Sequence, residues 1–94
     1  MLAVGLLTVE LHISGARSLK DKRRVIASVK DRLRKLNVSI AELDHHDLRQ
    51  RAKIGVVAIA PHRDAVDRSL NAVLTEVERN DPRLIIATDI EWLS

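Results

Sequence analysis

Three groups of residues in this 94-residue chain have side chains and spacings that could do chemistry. The largest is cationic: Arg17, Lys20, Lys22, Arg23 and Arg24, continued by Lys30 and Arg34, with only Asp21 and Asp31 to oppose them locally. Such a cluster is suited to meeting phosphates, and acids prevail in the last third of the chain, so the charge is asymmetric. The second group is Asp44-His45-His46-Asp47, two imidazoles bracketed by carboxylates, which could ligate a metal or move protons. The third is Glu10 and His12. They lie two residues apart, hence on one face of an extended strand, within possible reach of Glu42 or Asp44 as an acid–base pair.

Each group also has a plainer alternative. Cations at a helix start oppose the macrodipole at a cost of up to about 1 kcal/mol each, so an anion that met them and the free amides together would be stabilised. The plain reading is a solvated basic face with Lys22 snorkelling. Adjacent histidines on extended chain point to opposite faces, and useful metal pairs share a face, so residues 44–47 read better as a polar hinge, joined by Arg49 and Arg51. Glu10 and His12 on an open sheet form no cleft, and read better as interface residues. No glycine-rich phosphate loop ending in Lys-Ser/Thr is present, so nucleotide hydrolysis is not expected.

The elements that must position these groups follow from hydrophobic periodicity. Ala3 to Ile13 alternates as a strand, with Leu7, Val9, Leu11 and Ile13 on the core face and Val4, Leu6, Thr8, Glu10 and His12 on the other. Gly15 ends it. Ser18 occupies an N-cap position with Asp21 three residues on, so a helix is expected from Leu19, with an apolar arc of Leu19, Val25, Ile26, Val29, Leu33 and Leu36. Lys22 falls inside that arc, and its stem is expected to lie over the core while the ammonium emerges at the helix tip. Asn37 should close the helix. Strands are expected over Val38 to Asp44 and Ala52 to Ala60, the second being the most buried. A second helix should carry Val66, Leu70, Val73, Leu74 and Val77, begin near His62 to Asp64, and end at Asn80-Asp81-Pro82. A last strand runs from Leu84 to Leu93. The order strand, helix, strand, strand, helix, strand implies an α+β ferredoxin-like sandwich: a four-stranded antiparallel sheet, both helices on one face, in a single domain over 1–94. The other sheet face is left uncovered. Val4, Leu6 and Trp92 are the expected interface if a second copy covers it, and a homodimer is the expected assembly.

Composition narrows the classes further. A 46% hydrophobic and 31% charged chain with net charge +3 is globular. No apolar run approaches the roughly 20 residues that span a bilayer, and the first ten residues read as a strand and not as a signal peptide, so a cytoplasmic protein with no membrane partner is expected. Without cysteine there is no disulfide or thiolate chemistry. Trp92 is the sole aromatic ring of the Phe, Tyr and Trp set, which argues against base stacking on sheet aromatics. No cofactor is called for, and no catalytic motif is found.

Ser18-Leu-Lys-Asp-Lys-Arg-Arg-Val25, Asn37-Val-Ser-Ile-Ala-Glu42 and Asp44-His-His-Asp-Leu-Arg-Gln-Arg-Ala52 with Gly55 resemble the YlxP-like family of small bacterial proteins, over Gly5 to Trp92. The resemblance implies a ferredoxin-like fold and a gene neighbourhood among translation-initiation and ribosome-maturation factors, without an established activity. Where that family often has Gln and Trp in its hinge, this chain has His46 and Arg49. The resulting expectation is a non-enzymatic binding protein that meets RNA, in the ribosome or its assembly intermediates, through Arg17, Lys20, Lys22, Arg23, Arg24, Lys30 and Arg34. The alternative is a homodimeric interaction module that uses the open sheet face.

Overall fold

A computed structural model of the chain describes residues 1–79 and 81–94. The elements are β1 (Ala3–His12), α1 (Leu19–Leu33), β2 (Ser39–Asp44), β3 (Arg51–Ala60), α2 (Arg63–Glu78) and β4 (Ile85–Trp92). The strands form one sheet in the order β2-β3-β1-β4, and every neighbouring pair is antiparallel. This is the ferredoxin-like arrangement expected from the element order.

The core lies between the sheet and both helices. Leu7, Val9 and Leu11 of β1 and Ala52, Ile54, Val56 and Ala58 of β3 meet Ile26, Val29 and Leu33 of α1 and Val66, Leu70, Val73 and Val77 of α2, all buried. Strict alternation on β1 separates this face from Val4, Leu6, Thr8 and Glu10, which are half-buried on the face that no helix covers.

Local chemistry starts α1 where expected. Ser18 is extended, its Oγ accepts from the Asp21 N–H at 3.1 Å, and Asp21 Oδ2 in turn accepts from the Arg17 N–H at 3.0 Å. The helix ends earlier than expected, at Leu33 with Arg34 as C-cap and not at Asn37, because the chain tightens there: the Leu36 N–H bonds the Leu33 carbonyl at 2.9 Å, three residues back. At the end of α2, Asn80 of the expected stop lies outside the described residues; the helix runs to Glu78 with Arg79 as C-cap.

Trp92 is not on the open face. It pairs with Gly5, a core-facing position of β1, and lies half-buried on the helix side with the Arg63 guanidinium 4.7 Å from its ring centroid. Its side chain belongs to the contact between β4 and the start of α2, so of the residues expected on the uncovered face Val4 and Leu6 are there and Trp92 is not.

Candidate anion-binding groove

Lys22 has the most demanding environment of the basic residues. Its side chain is only 3% exposed, and its Nζ donates to the His45 carbonyl at 2.5 Å and faces Glu42 Oε2 at 3.4 Å. The ammonium therefore does not emerge at the helix tip as its place in the arc suggested. It is held inside, because Glu42 stands on the core side of β2, opposite Ile54, and supplies the counter-charge a buried lysine requires. Lys22 thus leaves the set of residues that present charge outward.

The same alternation corrects the proposed acid–base pairing. Glu42 cannot reach Glu10 or His12, which lie on the other face. A register shift between Glu42 and Asp44 then turns the chain, bringing Asp44 opposite Lys53, and His45 follows in a left-handed conformation with φ of 65°. In that conformation the His45 carbonyl reaches the Lys22 ammonium while its ring reaches Glu10 on the open face, with Nε2 3.2 Å from Oε2. Arg51 Nη2 approaches the same carboxylate oxygen at 3.5 Å. The hinge therefore clamps the two faces of the sheet edge together.

Asp44 Oδ1 accepts from the His45 N–H at 2.7 Å. That hydrogen bond, followed by the nearby charges of His45, Lys53 and His46, holds the exposed Asp44 carboxyl below its ordinary value. His45 and His46 diverge, one toward Glu10 and the other toward α1. Among the described residues no three His, Asp or Glu side chains gather closely enough to hold a metal ion.

Beside Lys22 runs a groove of about 410 Å³ between α1 and the hinge. Ala27 is the gap in its α1 wall, flanked by Arg23, Lys30 and Arg34 at spacings that keep all four on one helical stripe; His46 and Asp47 form the opposite lip. Arg34 is tied to Asp31 at 2.8 Å, whereas Arg23 and Lys30 have no ion pair among the described residues. Lys20 and Arg24 are exposed on the first turns of α1, and Arg17 is exposed just before it. Arg49 donates from Nη1 to the Arg17 carbonyl at 3.2 Å, so the hinge cations Arg49 and Arg51 border a shallow depression continuous with Arg17. The residue missed from sequence is Glu42 as partner of Lys22. A lysine amid an apolar arc is the signal that points to a carboxylate beside it.

Residues 4–90 match the family model described as Protein of unknown function (DUF503). The chain belongs to this family. No curated protein matches the DUF503 chain. Among solved structures it is similar to the de novo designed protein Foldit4, with 10% identity and a TM-score of 0.60 over 100% of this chain and 98% of that one. It is also similar to the Bacillus subtilis YXEP protein, described as a dinuclear metal binding peptidase from the M20 family, with 9% identity and a TM-score of 0.61. That match covers 98% of the DUF503 chain but 26% of the peptidase chain. At such identities the likeness is one of fold alone, and a fold shared by a designed protein and part of a peptidase carries no activity with it.

Proposed function

We propose that this protein is a non-enzymatic binding protein of the cytoplasm that docks on RNA, in the ribosome or its assembly intermediates, through phosphate contacts from Arg17, Lys20, Arg23, Arg24 and Lys30. The observation that carries the reading is that these five cations converge on the start and groove side of α1, and none has a carboxylate partner among the described residues. Three of the local acids are committed elsewhere, Asp21 to the helix cap, Asp31 to Arg34 and Glu42 to Lys22, and Asp47 on the opposite lip of the groove is the acid that remains without an ion pair among the described residues. The resemblance to the YlxP-like family, with its translation-linked gene neighbourhood, supports the ribosomal end of the proposal.

Contacts of this kind read shape and charge rather than base sequence. Binding of a ribosomal RNA fragment, followed by fluorescence anisotropy across a salt series, should show a slope of about −0.7 for each phosphate neutralised on a single strand. Replacing Arg23 and Arg24 together by alanine should flatten that slope by more than about 1. No binding at low salt, or an unchanged slope in the double variant, overturns the proposal.

A second reading, a homodimer through the open sheet face, is favoured by Ile59, which is 58% exposed and pairs with Val4. The two readings are compatible, because a dimer would double the basic surface.

A further inference from the structure

A second cavity, of about 490 Å³, opens on the side of α1 away from the groove, between that helix, the loop after β1, the end of α2 and the approach to β4. Its size lies within the roughly 300–1,000 Å³ of small-molecule sites. The floor is apolar, made by Ile13, Ala16, Val25, Val77 and Leu84. Arg24, Ser28 and Arg32 line its wall, and neither arginine has an ion-pair partner among the described residues.

Arg32 carries the argument. Its Nε is buried and has no acceptor among the described residues, a state that buried donors of charged groups rarely keep. An acceptor held in the cavity beside Arg32 would give Nε the partner it lacks. Asp21 and Asp81 also border the cavity, each with one oxygen engaged: Asp21 Oδ2 accepts from the Arg17 N–H at 3.0 Å and Asp81 Oδ1 from the Arg83 N–H at 3.0 Å. They still bear negative charge, so a doubly charged phosphate would be repelled by both. A carboxylate has a single charge and a planar pair of oxygens that matches the guanidinium fork.

We propose that this cavity is a binding site for a small organic monocarboxylate with a short apolar tail, its carboxylate taken by Arg32 and Arg24. Arg24 is shared with the proposed RNA surface, whereas Arg32 contributes nothing to that surface, so Arg32 variants distinguish the two readings. Titrating the full chain with hexanoate, hexanol and hexyl phosphate, followed by amide nuclear magnetic resonance shifts, tests it. Hexanoate should produce saturable shifts at Ser14, Ala16, Ser28 and Leu84, more tightly than either competitor. Arg32→Lys keeps a cation in the last turn of α1 but loses the fork, and should weaken hexanoate binding about tenfold in a chain whose spectrum remains dispersed. Arg24→Lys should weaken it in the same direction. The proposal is overturned if the shifts do not saturate, if hexanol or hexyl phosphate binds as tightly, or if Arg32→Lys binds hexanoate as well as the parent chain.

Discussion

Lys22 shows how a charged residue becomes a structural one. Its ammonium sits between a carbonyl from the hinge and a carboxylate from β2, so it joins α1, β2 and residue 45 at one point. Replacing it by methionine keeps most of the stem but leaves the half-buried Glu42 carboxylate and the His45 carbonyl unpaired, at a cost of about 2–3 kcal/mol. Glu42→Gln added to Lys22→Met removes the orphaned charge and should recover part of that loss. Urea midpoints of the single and double variants give the coupling directly, and full additivity would show that the pair does not interact. Asp44 makes the complementary case at acid pH. Its folded value is held down by the His45 N–H and the neighbouring cations, below the unfolded value of about 3.9. Asp44 therefore adds stability above about pH 4, and the contribution is lost as pH falls through the unfolded and then the folded value. Asp44→Asn can still accept the His45 N–H, yet it lacks the charge. Urea midpoints of parent and variant should differ at pH 7 and converge in acid; a gap that stays constant with pH would contradict this origin.

At the scale of elements, the glycines separate close packing from mere chain reversal. A Cβ on Gly5 would lie 2.8 Å from Val66 Cγ1 and 3.2 Å from Leu70 Cδ1, both of them buried side chains of α2 that have no room to move. Gly5→Ala should therefore push α2 off β1 and cost about 1–3 kcal/mol. Gly15, which the sequence marks as the strand breaker, meets nothing within 4 Å and has no positive φ, and β1 has already ended at His12. Gly15→Ala should be neutral or stabilise by about 0.4–1 kcal/mol, through the unfolded chain. Thermal unfolding of the two variants should move in opposite directions or leave Gly15→Ala unchanged. The elements were legible because their signals are local: Ser18 and Asp21 write the start of α1 in four residues, and Val66, Leu70, Val73 and Val77 write the buried stripe of α2. Lys22 was misplaced because its partner is twenty residues away on another element, and only the register of β2 against β3 decides which way Glu42 points. Trp92 was misplaced for a similar reason. A register irregularity between Glu10 and Leu11 breaks the parity of β1 against β4, and the mixed run Ile85-Ile86-Ala87-Thr88-Asp89-Ile90-Glu91-Trp92 does not show which residues face the core.

The whole molecule has two unlike faces, one covered by both helices and one bare, within principal extents of 46 × 21 × 18 Å. The bare face is itself divided. Val4, Leu6, Val57 and Ile59 lie at one end, while Glu10, His45 and Arg51 form a charged cluster at the other. The apolar end supplies the area whose burial would attract a second copy, while the charged end must be desolvated when covered, so the face lacks the broad apolar surface of an obligate dimer. Association should be reversible and concentration-dependent rather than obligate, and visible as a rising mean mass in light scattering or sedimentation. Ile59→Lys tests the face with little risk to folding, because the residue is 58% exposed and lies opposite Val4 on the uncovered side. The variant should remain monomeric at concentrations where the parent chain associates, with its melting temperature nearly unchanged in dilute solution. A parent chain that stays monomeric at high micromolar concentration, or a variant that associates as strongly as the parent, would leave the RNA-binding reading to stand without a dimer.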